Sequence, residues 1–202
     1  MKRLILASRN RHKLNELRTF LRNIPLEVVA IDEVAPELAL IEDGETFREN
    51  ALRKARAVFK RTGELSLADD SGLEVFYLNG RPGVSSARYA GVGTTDENNN
   101  QKLLAEMQGV APRRRGAQFH AVLALVGKNT EEFAEGICLG VLGEEPRGTN
   151  GFGYDPIFIP DGFTRTYAEL SAEEKNQISH RSKAFAKMRE ILLRHLSSDV
   201  GV

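Results

Sequence analysis

The chain has 202 residues, a length that suits one domain and is enough to bury its own core. Its 28 Lys plus Arg balance 28 Asp plus Glu, and this zero net charge argues against bulk electrostatic binding to nucleic acid or an anionic membrane. A single cysteine, Cys138, excludes an intrachain disulfide framework and a multi-cysteine zinc site. No apolar run approaches the ~20 residues of a membrane span. Polar residues follow Ala7 too soon for a signal peptide, so a cytoplasmic location is expected.

No internal repeat or linker is visible, and the chain reads as one continuous domain, 1–202. Leu4 to Ala7 predicts a buried strand ending in the turn Ser8-Arg9-Asn10. Leu14, Leu17, Leu21 and Ile24 form one helical face that stops before Pro25, and Leu26 to Ile31 is a second strand. Strand–helix–strand favours a parallel crossover. Thr46 with Glu49 is a capping box opening a helix to Thr62, ended by Gly63. Leu65 to Ala68 predicts a strand that Asp69-Asp70-Ser71-Gly72 breaks, with Leu73 to Leu78 extended again up to the Asn79-Gly80 turn. Thr94 with Glu97 caps another helix, ending near Gly109. Phe119 to Val126 and Phe133 to Leu142 predict a hairpin around Gly127-Lys128-Asn129. A glycine-rich loop, Gly148 to Gly153, precedes the short strand Ile157 to Ile159. Ser171 with Glu174 caps a short helix, and a last helix carries Ala184, Met188, Ile191 and His195 on one stripe. The class is mixed α/β.

Five places carry candidate chemistry. Ser8, Asn10 and Lys13 lie between a strand end and a helix start, where backbone N–H groups and the helix dipole attract anions; an ordinary N-cap followed by solvated basic residues is the alternative. Glu42, Asp43, Glu45, Asp69 and Asp70 offer hard oxygen donors to an ion such as Mg²⁺, or else make a solvated turn. Lys54 falls at the edge of the helical stripe Phe47, Ala51, Ala55, Val58 and Phe59; it either reaches inward or snorkels to water. In Gly151-Phe152-Gly153-Tyr154-Asp155-Pro156, the glycines permit close approach and the rings offer faces for a base, or the loop merely covers the core. Lys175 with Ser179-His180-Arg181 adds three potential cations, although His180 also suits a helix cap. Arg113-Arg114-Arg115 reads as a solvated turn, His120 as a satisfied core histidine and Cys138 as inert.

Taken together, the chain resembles the non-canonical purine nucleoside triphosphate pyrophosphatases, the inosine/xanthosine triphosphate pyrophosphatase family. The resemblance rests on Ser8-x-Asn10-x-x-Lys13, Glu42-Asp-Gly-x-Thr46-Phe47-x-Glu49-Asn50-Ala51 and Ala68-Asp-Asp-Ser-Gly72. It continues through Ser86-Ala-Arg-Tyr89, Gly151-Phe-Gly-Tyr-Asp-Pro-Ile-Phe158 and Glu174-Lys175 to Ile178-Ser-His-Arg181, six elements in family order. Arg9 and His12 stand where many members have glycine, and Asn150 replaces a common glycine.

The resemblance implies an elongated mixed sheet flanked by helices, two lobes with a central substrate cleft, and a homodimer. It implies Mg²⁺-dependent hydrolysis of ITP, dITP or XTP to monophosphate and pyrophosphate. By position, Ser8, Asn10 and Lys13 match the phosphate loop, and Lys54 and Ser71 match further substrate contacts. Glu42 and Asp70 match the metal carboxylates, with Asp70 also the proton acceptor. Phe152, Gly153, Tyr154, Asp155, Lys175, His180 and Arg181 match the nucleobase pocket. Two rivals remain: a related septum-inhibitor-type pyrophosphatase acting on pyrimidine or modified nucleotides, whose Ser-Pro-Arg-Arg continuation is absent here, and a non-catalytic nucleotide-binding regulator.

Overall fold

The structure, a computed structural model, describes residues 2–198. A six-stranded mixed sheet runs in the order β2-β1-β3-β4-β5-β6, with helices in the connections, as the α/β reading expects. β1 (Lys2–Leu6) is parallel to both β2 (Leu26–Ala30) and β3 (Ser66–Val75), in a register that sets Leu4 opposite Val28 and Leu6 opposite Leu67. The predicted crossover helix is α1 (Arg11–Leu21), which buries Leu17 and Leu21 and stops short of Ile24. Ile31 opens a one-turn helix, α2 (Ile31–Val34), rather than closing β2.

α3 (Phe47–Thr62) begins and ends where its caps place it. The Thr46 hydroxyl accepts from the Glu49 N–H, a cap worth about 1 kcal/mol, and the Gly63 N–H closes the helix on the Phe59 carbonyl. The box is modified: the Glu49 carboxylate accepts from the Glu45 N–H, one residue further back than expected. α4 (Asp96–Glu106) is capped by Thr95, not Thr94. β4 (Gly116–Gly127) and β5 (Thr130–Leu142) form the predicted hairpin across Lys128-Asn129. β6 (Phe158–Pro160) is antiparallel to β5, the Ser171–Glu174 capping box opens α5 (Ala172–Ile178), and α6 (His180–Ser198) buries Ala184, Met188 and Ile191.

One expectation fails instructively. β3 does not break at Asp69-Asp70-Ser71-Gly72 but runs straight through it, and Phe76–Leu78 then forms a single 3₁₀ turn instead of extended chain. Aspartate is depleted in strands because its charge lacks partners there. Here side chains on α1 and α3 supply them, so tertiary contacts override the local preference.

The described residues divide into two compact units, which the chain passes between at Asp70–Ser71, His120–Ala121, Gly136–Ile137 and Arg181–Ser182. The first unit packs Leu4, Leu6, Leu17, Leu67, Leu123, Leu125 and Met188 into its own core. The second packs Leu73, Leu103, Met107, Phe119, Phe158 and Tyr167, with the Phe119 and Phe158 rings edge-on at 4.7 Å. Each such side chain contributes roughly 1.5–3 kcal/mol on burial.

Arg115 corrects another expectation. It is buried, not solvated, and its guanidinium donates to the carbonyls of Leu142, Met107 and Gly143 at 2.6–2.9 Å. Arg113 and Arg114 remain exposed. His120 is only half-buried and faces Glu74, 3.6 Å away, while Cys138 is buried and in no disulfide. No helix among the described residues is long and apolar enough to cross a membrane.

Candidate active site

In the first unit, the pleat of β3 and the neighbouring loops bring the predicted acidic and basic residues together. Lys54 projects from the buried face of α3 and is 3% exposed, so the snorkelling alternative is excluded. Its ammonium donates to Glu42 Oε1 at 2.6 Å, to the Asp69 carbonyl at 2.9 Å and to Asp70 Oδ1 at 3.0 Å. An ammonium has three protons, and all three are engaged by protein oxygens. Lys54 thus acts first on the carboxylates and contacts a ligand only by releasing one of them. Lys13 reaches the same strand from α1, 3.3 Å from both the carbonyl and the Oδ1 of Asp69.

The loop before α1 is more committed than its sequence suggests. Asn10 Oδ1 accepts from the His12 and Lys13 N–H groups, and Ser8 Oγ accepts from the Asn10 N–H. Asn10 is therefore a working N-cap, and two of the helix N–H groups expected for an anion are already bonded. The Asn10 amide nitrogen and the Ser8 hydroxyl proton remain the donors this loop can offer. Arg9, unexpected in place of glycine, donates to the Asp32 carboxylate and to the carbonyls of Pro36 and Leu38 at 2.8–2.9 Å, tying down the segment after β2.

Asn50, to which no motif in the sequence gives a role, lies at the centre of this group. It is fully buried on α3, its Nδ2 donates to Asp70 Oδ2 at 3.1 Å, and its Oδ1 accepts from the Gly44 N–H at 2.7 Å. A Cβ at Gly44 would come within 2.8 Å of that Oδ1, so the close approach requires glycine. Its signal in sequence is an amide one helical turn before Lys54, on the same face. Asn50 thereby orients Asp70 and fastens the acidic loop to α3. Asp43 turns away to pair with Arg53.

Burial raises the Asp70 pKa above the usual aspartate value; Lys54 opposes this and Glu42 reinforces it. Burial alone lowers the Lys54 pKa, but Asp70 and Glu42 together outweigh it and keep the ammonium charged. Two carboxylates sharing one ammonium leave a site one positive charge short. Among the described residues, no three His, Cys, Asp or Glu side chains cluster as a metal cage. Glu42 and Asp70 instead fit a hard ion such as Mg²⁺, which takes one or two carboxylates and fills its shell with phosphate and water oxygens.

The second unit gathers the aromatic and cationic candidates. Asp155 Oδ2 accepts from the Phe152 N–H at 2.9 Å and pairs with the Lys175 ammonium. Gly151 sits at φ +78°, and any Cβ there would collide with that same oxygen. Lys175 Nζ lies 5.3 Å and Arg181 Cζ 4.9 Å from the half-buried Phe152 ring, and Arg181 Nη2 donates to Ser71 Oγ at 2.8 Å. The structure therefore joins Ser71, Phe152, Asp155, Lys175 and Arg181. His180 starts α6 and is buried with its ring stacked on Phe119 at 4.7 Å. Tyr154 offers no face to a base: its ring is buried and its hydroxyl donates to the Ser86 carbonyl at 2.9 Å. Gly153 has its N–H on Asp96 and its carbonyl on Asn100. Asn150, also unexpected, anchors the loop to Ala168 and Leu170.

Residues 4–191 match the Ham1 family. The chain belongs to the Ham1 family. Its similarity to solved Ham1 proteins extends through the fold: the Staphylococcus aureus Ham1 protein aligns with a TM-score of 0.88 at 39% identity, covering 96% of this chain and 100% of that one. A HAM1 protein from Coxiella burnetii aligns with a TM-score of 0.89 at 42% identity, again over 96% and 100%. The chain is also 44% identical over 200 residues to the dITP/XTP pyrophosphatase of Caldanaerobacter subterraneus, covering 98% of this chain and all of that protein. To the dITP/XTP pyrophosphatase of Desulforamulus reducens it is 48% identical over 193 residues, 95% of this chain and 96% of the relative.

Proposed function

We propose that this Ham1-family chain is a nucleoside triphosphate pyrophosphatase, one domain over 1–202, that hydrolyses ITP, dITP and XTP to the monophosphate and pyrophosphate. The observation that carries the reading is the buried Lys54 ammonium shared by Glu42 and Asp70. Full-length similarity to proteins named dITP/XTP pyrophosphatase supports it.

The chemistry divides between the two groups of residues. Glu42 and Asp70 would hold Mg²⁺, which when bound supplies charge neutralisation for the pyrophosphate leaving group. Lys13, Ser8 and Asn10 bind phosphate oxygens by charge and hydrogen bonding. Lys54 keeps Asp70 and Glu42 facing one point and adds fixed positive charge in a poorly hydrated setting, where it acts strongly on developing negative charge. Asp70 accepts a proton from the attacking water, helped by burial that makes it a stronger base than an ordinary aspartate. Phe152 presents a flat face to the base, and Ser71, Lys175, His180 and Arg181 supply donors and charge. Donors aimed at the 6-oxo group meet an amino group in adenine, and such a mismatch rejects the wrong base by factors up to about 10⁴–10⁵.

The reading extends to a homodimer acting in the cytoplasm on free nucleotides rather than on nucleic acid or membrane. The zero net charge supports the choice of substrate. Ile137, Leu139 and Val141, exposed at alternate positions of β5, support self-association, which light scattering on the eluting protein measures. The deciding assay incubates the protein with ITP, XTP, dTTP and ATP plus Mg²⁺ and separates phosphate from pyrophosphate. Pyrophosphate from ITP and XTP is expected; release of orthophosphate, a preference for dTTP, or binding without turnover would each overturn the reading.

A further inference from the structure

We propose that Asp96 and Asn100 of α4 are positioning residues for base recognition, gripping Gly153 by its N–H and its carbonyl so that Phe152 faces its ligand. The inference rests on the pyrophosphatase reading and adds residues to it. Asp96 Oδ2 accepts from the Gly153 N–H at 2.6 Å, and Asn100 Nδ2 donates to the Gly153 carbonyl at 2.9 Å. Four residues apart, the two side chains share one face of the helix. On the other side of Phe152, its own N–H is held by Asp155.

Both peptide groups that flank the Phe152 Cα are therefore fixed by carboxylates, through charge-assisted bonds that are stronger than neutral ones. The backbone fixes the Cα–Cβ bond and limits the rotamers a side chain can adopt, so this double anchorage restricts where the ring points. That ring is the one Lys175 and Arg181 stand over. The clamp also occupies the N–H and one acceptor position of Gly153, so Gly153 serves the site by shape.

Asn100 supplies an independent sign of purpose. It is buried, yet its Oδ1 has no hydrogen-bond partner, which costs stability that an apolar residue of similar size would avoid. What the amide provides, and an apolar side chain would not, is the bond to the Gly153 carbonyl.

The test compares wild type with Asp96→Ala, Asp96→Asn and Asn100→Ala, measuring kcat and KM for ITP and ATP. A lost loop contact is expected to raise KM for ITP about tenfold with kcat nearly unchanged, and to lower the ITP-to-ATP ratio of kcat/KM about tenfold. Asp96→Asn keeps an acceptor and is expected to stay within about threefold of wild type. Asp96 is exposed, so its variants report even if Asn100→Ala folds poorly. Hydrogen exchange across Phe152–Tyr154 is expected to quicken in Asp96→Ala. Unchanged exchange, an unchanged ratio, or equal kcat losses on both substrates would overturn the proposal. A wild type without preference for ITP defeats the pyrophosphatase reading instead, and hydrogen exchange then decides alone whether the clamp holds the loop.

Discussion

The residues around Lys54 and those around Phe152 are held in different ways. Glu42 and Asp70 both hold the Lys54 ammonium, so that moving any one of the three disturbs what orients the other two. Phe152 and Gly153 are held through their backbone by Asp155, Asp96 and Asn100, which carry the loop without needing to touch a ligand. A network of mutual charges is easily reorganised by an arriving polyphosphate. A backbone clamp is rigid beforehand. On the proposed function, phosphate chemistry would benefit from the first and discrimination between bases from the second, because rejection depends on donors that do not move to suit the wrong partner.

The contrast predicts large catalytic effects in the first group. Asp70→Asn should lower kcat by about 10²–10⁴ while KM for ITP changes little, as loss of a general base implies; wild-type turnover in that variant would remove Asp70 from the mechanism. In the wild type, burial raises the Asp70 pKa, so its proton is retained to higher pH. The acid limb of kcat/KM should accordingly fall above the ordinary aspartate value of about 3.9.

Next in size is Lys54→Met, expected to lower kcat/KM by about 10²–10³. It leaves two carboxylates facing each other, and breaking a buried pair costs about 3–5 kcal/mol. Its thermal midpoint should fall, and Mg²⁺ should restore more of it than in wild type. The sign of the pH effect follows from a raised Lys54 pKa: its contribution to stability is present at neutral pH and is lost as pH climbs through the folded value.

Asn50→Leu should reduce kcat/KM about tenfold and move the acid limb upward, because it removes a donor that favours the ionised carboxylate. An unmoved limb would reduce Asn50 to a packing residue. The smallest effect belongs to Tyr154→Phe. Losing its bond to Ser86 should cost about 1 kcal/mol in stability and leave the ITP-to-ATP preference unchanged.

Much of this was legible in the sequence because caps and periodicities are local. Thr46, Gly63 and Ser171 mark their helices directly, and Leu4 to Leu26 spells out strand, helix and strand. Asp69-Asp70-Ser71-Gly72 misleads because the charges that keep it extended arrive from Lys13, Lys54 and Arg181, between 16 and 110 residues away. Arg115 misleads likewise, since three backbone carbonyls, two of them 27 and 28 residues away, absorb its charge. Asn50 and Asn100 went unread for another reason. An asparagine on a helix carries no charge pattern, and its importance appears only with the group it touches.

Lys54 has a further consequence for how the protein matures. Because an internal ammonium already offsets one of the two carboxylate charges, the chain should complete its folding with no divalent ion present. Chelation should then silence the enzyme without melting it, unlike small zinc domains whose structure is lost with their metal.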